Sequence, residues 1–155
     1  GLADRVDVRL EDYRDTASQF DGLVSIEMIE AVGQKNWSRY FDVLAKRLRP
    51  GGVGVIQAIT IREDAFEQYR KNPDFIQRYI FPGGMLPTID LMKSRAQDAG
   101  LEFEVCERFG LSYARTLRDN PPRSFQQGCP AILPARSHSA RSTALMAISG
   151  SPLRP

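Results

Sequence analysis

The sequence predicts an α/β fold in which strands and helices alternate to build a doubly wound sheet. Two stretches carry this prediction. Residues 24–33 place two carboxylates directly after a short apolar run, and residues 53–61 are a nearly continuous, largely β-branched apolar run, as in a strand buried on both faces. The elements follow in the order strand, strand, helix, strand, helix, loop, helix, strand.

Four stretches have the pattern of strands. Residues 6–10 and 101–109 alternate apolar and polar side chains, with the glutamates of the second stretch on its exposed side. Residues 20–26 and 53–61 are more continuously apolar, which predicts deeper burial.

Three stretches have the pattern of helices, at residues 36–48, 62–71 and 88–99. In the third, Thr88 is a candidate N-cap and Gly100 follows the last turn. The first has apolar side chains at helical spacing on one face, which predicts that it covers the sheet. These side chains are Trp37, Tyr40, Phe41, Leu44 and Leu48.

Length and composition favour one domain with a hydrophobic core, since the chain has 155 residues of which 42% are hydrophobic. No apolar run reaches the roughly 18 residues of a membrane span, and residues 1–5 do not have the pattern of a signal peptide. We therefore expect a cytoplasmic protein. Cys106 and Cys129 are predicted to be free thiols, and His138, the sole histidine, lies in a poor context for a catalytic triad or a zinc site.

The charge is distributed unevenly along the chain. All 19 acidic side chains precede residue 120, whereas four arginines and six of the ten prolines follow it. Residues 120–155 are therefore predicted to be a basic, poorly ordered tail rich in proline and serine, attached to a domain at residues 1–119. A solvated tail is the simpler reading of its charge than a contact with nucleic acid.

Glu27 and Glu30 are the first candidates for chemistry. Ligands of open parallel sheets bind beyond the carboxyl ends of strands, so acids at this position face a cleft. The alternative is that both carboxylates only stabilise the first turn of the following helix. A second candidate is the loop at residues 75–87, which is aromatic, apolar and interrupted by proline and glycine. This composition suits a lid over an apolar pocket, or else an ordinary packed loop.

A glycine-rich turn of the nucleotide-binding type does not follow any of the early strands. Either the chain does not bind a nucleotide in this way, or the first strands of its sheet are missing.

Five motifs occur in one order and with consistent gaps. They are S-I-E-M-I-E-A-V-G at 25–33, Y-F-x-x-L-x-x-x-L-x-P-G-G at 40–52, I-Q-A-I-T-I at 56–61, D-F-I-Q-R-Y-I-F-P-G-G-M-L-P at 74–87 and Y-A-R-T-L at 113–117. Over residues 1–119 the sequence resembles the cyclopropane-fatty-acyl-phospholipid synthase family, which includes the mycolic acid cyclopropane synthases.

The resemblance implies a class I, Rossmann-like methyltransferase sheet that lacks its N-terminal strands, with S-adenosylmethionine (SAM) lying across the strand ends. In this family a cis double bond of a lipid acyl chain attacks the sulfonium methyl group. Loss of a proton from the resulting carbocation then closes a cyclopropane ring, whereas sister enzymes form a methyl branch. The implied partner is an unsaturated phospholipid, which places the protein at the inner face of the membrane as a peripheral protein and a possible homodimer, without nucleic acid.

The resemblance also implies roles for individual residues. Glu30 would help to hold a bicarbonate ion that accepts the proton, Ile59 would offer its backbone to that ion, and Tyr113 would lie beside it. Many members have a histidine ligand at the position of Gln57, which can donate a hydrogen bond but cannot take up a proton. The remaining implied residues are the SAM contacts Glu11, Asp12, Ser25 and Ile26 and the lid residues Phe81, Pro82, Gly83 and Gly84.

Two other functions stay open at this stage. The chain could be a non-catalytic remnant or interaction subunit with an exposed sheet edge, or an enzyme that methylates a small amine. The aromatic run Y-I-F-P-G-G at 79–84 favours a lipid over a small amine.

Overall fold

A computed structural model describes residues 1–108, 112, 115, 119 and 141–150. Its centre is a four-stranded mixed sheet with the strand order β1-β2-β4-β3. Strands β1 and β2 are parallel, and β4 runs antiparallel to both β2 and β3. The strands are β1 (Phe20–Ile26), β2 (Leu48–Ile61), β3 (Leu101–Arg108) and β4 (Arg141–Gly150).

Four α-helices connect or flank these strands: α1 (Ile29–Val32), α2 (Trp37–Arg47), α3 (Glu63–Lys71) and α4 (Ile89–Asp98). A π-helix, Ile76–Ile80, lies between α3 and α4, and short 3₁₀ turns occur at Ala3–Arg5 and Gln34–Asn36. None of the helices in the described residues is both long and apolar enough to cross a membrane.

The core forms where α2 packs on the sheet. Tyr40 and Phe41 of α2 are fully buried and join Ile56 and Ala58 of β2 in one apolar cluster. This confirms the predicted helix face. Helix α4 starts as predicted, because the Thr88 hydroxyl accepts a hydrogen bond from the Leu91 N–H at 3.2 Å.

The two faces of β2 differ in burial, although the sequence predicted burial on both. Ile56, Ala58 and Thr60 are buried, whereas Gln57 and Ile59 on the opposite face are only partly buried. Side chains alternate between the faces of a strand, so Gln57 and Ile59 share a face. That face carries the candidate site.

The strand predicted at residues 6–10 is not formed. Val8 is 90% exposed and Leu10 is fully exposed. Alternation with period two gives a strand only where a neighbouring strand supplies hydrogen bonds, and in the described sheet β1 pairs with β2 alone.

The prediction of a poorly ordered tail is wrong for residues 141–150. They form β4, which lies between β2 and β3. Ala144, Met146 and Ile148 are buried against the core, and each is separated from the next by one residue. This period-two signal is present in the sequence, but the proline and serine content of the whole tail concealed it. Residues 120–140 and 151–155 lie outside the described residues.

Candidate active site

The candidate site begins where β1 ends and the edge of β2 that faced β1 continues without it. The last residue pair of the two strands is Ile26 with Gln57, but β2 extends to Ile61. Beyond β1, the Ile59 N–H donates to the Glu30 carboxylate at 2.6 Å, and the Ile61 N–H donates to the Pro87 carbonyl at 3.0 Å. The Glu30 side chain therefore takes the place of a strand partner for β2, which satisfies a donor that would otherwise have no partner.

Glu30 is electrostatically unusual. Its Oε1 accepts the Ile59 hydrogen bond, but its buried Oε2 has no hydrogen-bond partner within the part of the chain that the structure describes. Burial raises the pKa of the carboxyl group and the nearby charge of Glu27 adds to this, whereas the hydrogen bond from Ile59 opposes it. Glu30 is thus a carboxyl group whose proton affinity is increased and which has one oxygen free.

Glu27 is connected to Gln57 at two points. Its backbone N–H donates to the Gln57 carbonyl at 2.9 Å, and the Gln57 side-chain amide donates from Nε2 to Glu27 Oε1 at 3.2 Å. Glu27 also has a φ of +49°, the one positive φ of a non-glycine residue among the described residues. Such a conformation is uncommon for a residue with a Cβ and often occurs at functional sites.

A cavity of about 270 Å³ lies against Glu30. Its walls are mainly apolar and come from the residue after β1, from α1, from β2, from α3 and from the segment after α3. Among the described residues that line it, two are carboxylates and none is basic. These residues are Glu27, Glu30, Ala31, Ile59, Tyr69, Ile76, Gln77, Phe81, Gly84, Met85 and Leu86.

The predicted lid covers this cavity but is more regular than the sequence suggested, because it contains the π-helix Ile76–Ile80. Buried Gln77 donates to the Gly84 carbonyl at 3.3 Å, and the Met85 N–H donates to the Glu30 carbonyl at 2.9 Å. The lid is therefore attached to the residue that carries the free carboxylate oxygen. π-Helical turns are rare in proteins overall, but those that occur often lie at functional sites.

Two of the four predicted lid residues line the cavity. Phe81 and Gly84 are part of its wall, whereas Pro82 and Gly83 are exposed and lie outside it. Tyr113, which the sequence placed beside Glu30, lies outside the described residues. The Ile59 N–H is already bonded to Glu30, so its predicted contact with an ion stays a prediction.

Two of the four predicted SAM contacts lie in a second groove. Ser25 and Ile26 line this groove of about 290 Å³ together with Tyr13. The Ser25 hydroxyl is buried and accepts a hydrogen bond from the Tyr40 hydroxyl at 2.8 Å, so it is engaged within the core. Glu11 and Asp12 precede Tyr13 and are absent from the described lining of this groove.

Asp12 is an anion throughout the physiological range. Hydrogen bonds from the Arg14 side chain and backbone lower its pKa to about 2. This pairing is local, since the two residues are neighbours in the chain.

Six residues of the cavity wall were not among the individually predicted site residues: Ala31, Tyr69, Ile76, Gln77, Met85 and Leu86. Tyr69 could have been identified as an apolar position on an otherwise charged helix. Gln77 and Met85 lie inside the predicted lid, but no periodicity distinguishes an inward residue in a π-helix or an irregular loop.

The chain is similar to a known protein family and to individual proteins. Residues 1–135 match the family described as mycolic acid cyclopropane synthetase. The chain is 44% identical over 119 residues to the tuberculostearic acid methyltransferase of Mycobacterium tuberculosis. It is 35% identical over 113 residues to the cyclopropane-fatty-acyl-phospholipid synthase of Escherichia coli. These matches cover 76% and 72% of this chain but 28% of each relative, so the chain spans less than a third of their length.

The fold is shared with solved cyclopropane synthases. A cyclopropane synthase of M. tuberculosis superposes with a TM-score of 0.68 at 20% identity, over 94% of this chain and 63% of the other. A mycolic acid cyclopropane synthase complexed with SAH and CTAB gives a TM-score of 0.65 at 19% identity, over 90% of this chain and 59% of the other. From the family match and these sequence identities, the chain belongs to the mycolic acid cyclopropane synthetase family.

Proposed function

We propose that this chain is part of an enzyme that transfers the methyl group of SAM to the cis double bond of a phospholipid acyl chain. The product is a cyclopropane or a methyl-branched fatty acid. The observation that carries this proposal is the apolar cavity with an unpartnered buried carboxylate oxygen, Glu30 Oε2, in a chain of this family.

The size and lining of the cavity suit part of an acyl chain. A volume of about 270 Å³ is near the lower end of the roughly 300–1,000 Å³ typical of ligand pockets. It accommodates the segment around a double bond rather than a whole lipid. Ile76, Phe81 and Met85 make this wall apolar. Removal of water by a bound acyl chain would strengthen the electrostatic interactions inside the site. The same apolar wall favours a lipid over a small amine.

The charges of the site suit a cationic reaction. SAM would supply a methyl group carried on a positively charged sulfur. Glu27 and Glu30 are acids at the end of β1, and no basic side chain balances them among the described residues of the cavity. A preorganised carboxylate stabilises positive charge that develops nearby. We assign this role to Glu27, because Glu30 is proposed to hold a proton. We place the methyl donor in the groove that Ile26 lines, where this side chain is 63% exposed. Glu11 and Asp12 would lie at the adenine end of the donor.

Bicarbonate is the proposed proton acceptor. Two ionised carboxylates would repel an anion, but burial raises the pKa of Glu30. A protonated Glu30 would donate a hydrogen bond to the ion from the buried Oε2. Gln57 uses one amide N–H on Glu27 and has a second for the ion. The residues therefore fit bicarbonate when Glu30 is protonated, with Tyr113 as the further proposed contact.

Access to the lipid is proposed through the lid. Phe75, Tyr79, Ile80 and Phe81 expose between 52% and 69% of their surface beside the cavity. Aromatic side chains favour the interface between membrane and water. This patch supports an enzyme that acts at the cytoplasmic surface of a membrane, with unsaturated phospholipid as its partner.

A second candidate is a chain without activity of its own. It is favoured by the exposed edge of the sheet, where Val24 and Ile26 of β1 are 68% and 63% exposed and no described strand pairs with β1 on that side. Edges of this kind pair with other chains. SAM binding by the purified 155-residue chain would exclude this candidate.

Fatty-acid analysis tests the proposed function. The complete gene product that contains this chain is expressed in a bacterium that makes cis-unsaturated phospholipids but lacks cyclopropane synthase. We expect fatty acids one CH₂ heavier than their unsaturated precursors. Unchanged fatty acids in cells that contain the folded protein would refute the proposal.

A further inference from the structure

We propose that Glu27 recognises the positive charge of the methyl donor, so that the site binds the sulfonium form more tightly than the neutral thioether that remains after transfer. This inference rests on the proposed function and extends it. It assigns to Glu27 a task that is separate from that of Glu30.

The position of Glu27 between the two pockets is the first argument. Ile26 and Met28 line the groove beside β1, whereas Glu27, between them in the chain, lines the cavity next to Glu30. In the chain, Glu27 therefore marks the junction between the residues of the groove and the wall of the cavity. A donor bound along the groove that delivers a methyl group into the cavity must present its sulfur at this junction.

The backbone of Glu27 is the second argument. A φ of +49° places it in the left-handed region, which glycine adopts far more readily than glutamate. Outliers of this kind persist where the surrounding structure holds them in place. Here the N–H of Glu27 is held by the Gln57 carbonyl at 2.9 Å.

The fixed orientation of the carboxylate is the third argument. Gln57 Nε2 donates to Glu27 Oε1 at 3.2 Å. A carboxylate only accepts hydrogen bonds, so this contact orients the Gln57 amide and at the same time restrains the acid. Because one amide N–H uses only part of its accepting capacity, the carboxylate keeps further lone pairs for a cation.

The charge balance is the fourth argument. The described lining of the cavity contains no basic side chain that could neutralise Glu27. SAM and S-adenosylhomocysteine share every group except the methyl and the charge of the sulfur. A carboxylate at the sulfur therefore separates them by electrostatics, and Gln57 acts as the positioning residue of that carboxylate.

Calorimetric titration of the complete gene product with both ligands tests the inference without any measurement of activity. For Glu27→Gln we expect the Kd of SAM to rise roughly five- to tenfold, with the Kd of S-adenosylhomocysteine nearly unchanged. Glu27→Gly should lose the same discrimination. Because glycine accepts the positive φ, this variant shows that the effect does not come from misfolding.

A matched control removes the same charge elsewhere. Glu104 is exposed on β3, and Glu104→Gln should leave both affinities unchanged. If the wild type binds both ligands and neither Glu27 variant alters the ratio of the two affinities, this inference is wrong while the proposed function stands. If the folded wild type binds neither ligand, both are wrong.

Discussion

The Glu30 carboxylate and the Ile59 backbone N–H lie 2.6 Å apart, 29 residues apart in the chain. This hydrogen bond continues the edge of β2 beyond the end of β1 and leaves Glu30 Oε2 in a buried position without a partner in the described chain. Thus Oε1 of Glu30 holds the edge of β2, whereas Oε2 is available for chemistry.

The raised pKa of Glu30 predicts a pH-dependent contribution to stability. The folded protein holds this proton more tightly than the unfolded chain, for which the ordinary value is 4.5. Stability from this group is therefore fully present below that value and falls as the pH rises toward the folded pKa. We expect the wild type to lose stability relative to Glu30→Gln over this window, measured as the difference in melting temperature. A difference that does not vary with pH would contradict the raised pKa.

The buried hydrogen bond between Tyr40 and Ser25 predicts a cost for Tyr40→Phe. The change removes the donor at 2.8 Å and leaves the buried Ser25 hydroxyl without it. We expect a loss of about 1–2 kcal/mol in the free energy of unfolding, measured by urea denaturation. The matched control is Tyr79→Phe, since Tyr79 is 69% exposed and its hydroxyl should matter little. Equal effects of the two variants would argue against the buried hydrogen bond.

The attachment of the lid predicts a specific effect of Gln77→Ala. Gln77 accepts a hydrogen bond from the Asp74 N–H at 3.1 Å and donates to the Gly84 carbonyl at 3.3 Å. Without these bonds the lid should close less firmly, so we expect the KM for phospholipid to rise several-fold while the affinity for SAM is unchanged. Steady-state kinetics on lipid vesicles measure this. Gln68→Ala, at an exposed position on α3, should have no effect.

The position of β4 in the sheet predicts that Met146→Ala is strongly destabilising. Met146 is fully buried opposite Ile56 of β2. Truncation of a buried methionine typically costs about 2–5 kcal/mol. Hydrogen exchange should also show protected amides from residue 144 to residue 148. Rapid exchange of these amides, together with an unchanged free energy of unfolding, would contradict the strand β4. It would support the poorly ordered tail that the composition suggested.

The local pattern of the sequence was sufficient to predict much of the fold and the candidate carboxylate Glu30. Helix α2 has a clear apolar face, and Glu30 follows directly after an apolar strand. The pairing of Glu27 with Gln57 could not be predicted from the sequence. It depends on the register of two strands 30 residues apart in the chain and on a positive φ that glutamate rarely adopts.

The two errors about strands have one physical cause. Whether an alternating segment becomes a strand depends on a partner elsewhere in the chain. Residues 6–10 alternate but have no partner in the described sheet. Residues 141–150 have partners on both sides, β2 and β3, although they lie in a stretch whose composition suggests disorder.

The most direct test of the account follows a labelled methyl group. The purified complete gene product is incubated with methyl-labelled SAM and vesicles of cis-unsaturated phospholipid, and label in the acyl chains is measured beside that of Glu30→Gln. Glutamine keeps an acceptor for the Ile59 N–H but has no carboxyl proton to share with the proposed bicarbonate ion. We therefore expect label at the former double bond in the wild type and a rate lower by roughly 10²–10⁴-fold in the variant. Equal labelling by both proteins, or none by a folded wild type that binds SAM, would contradict the account.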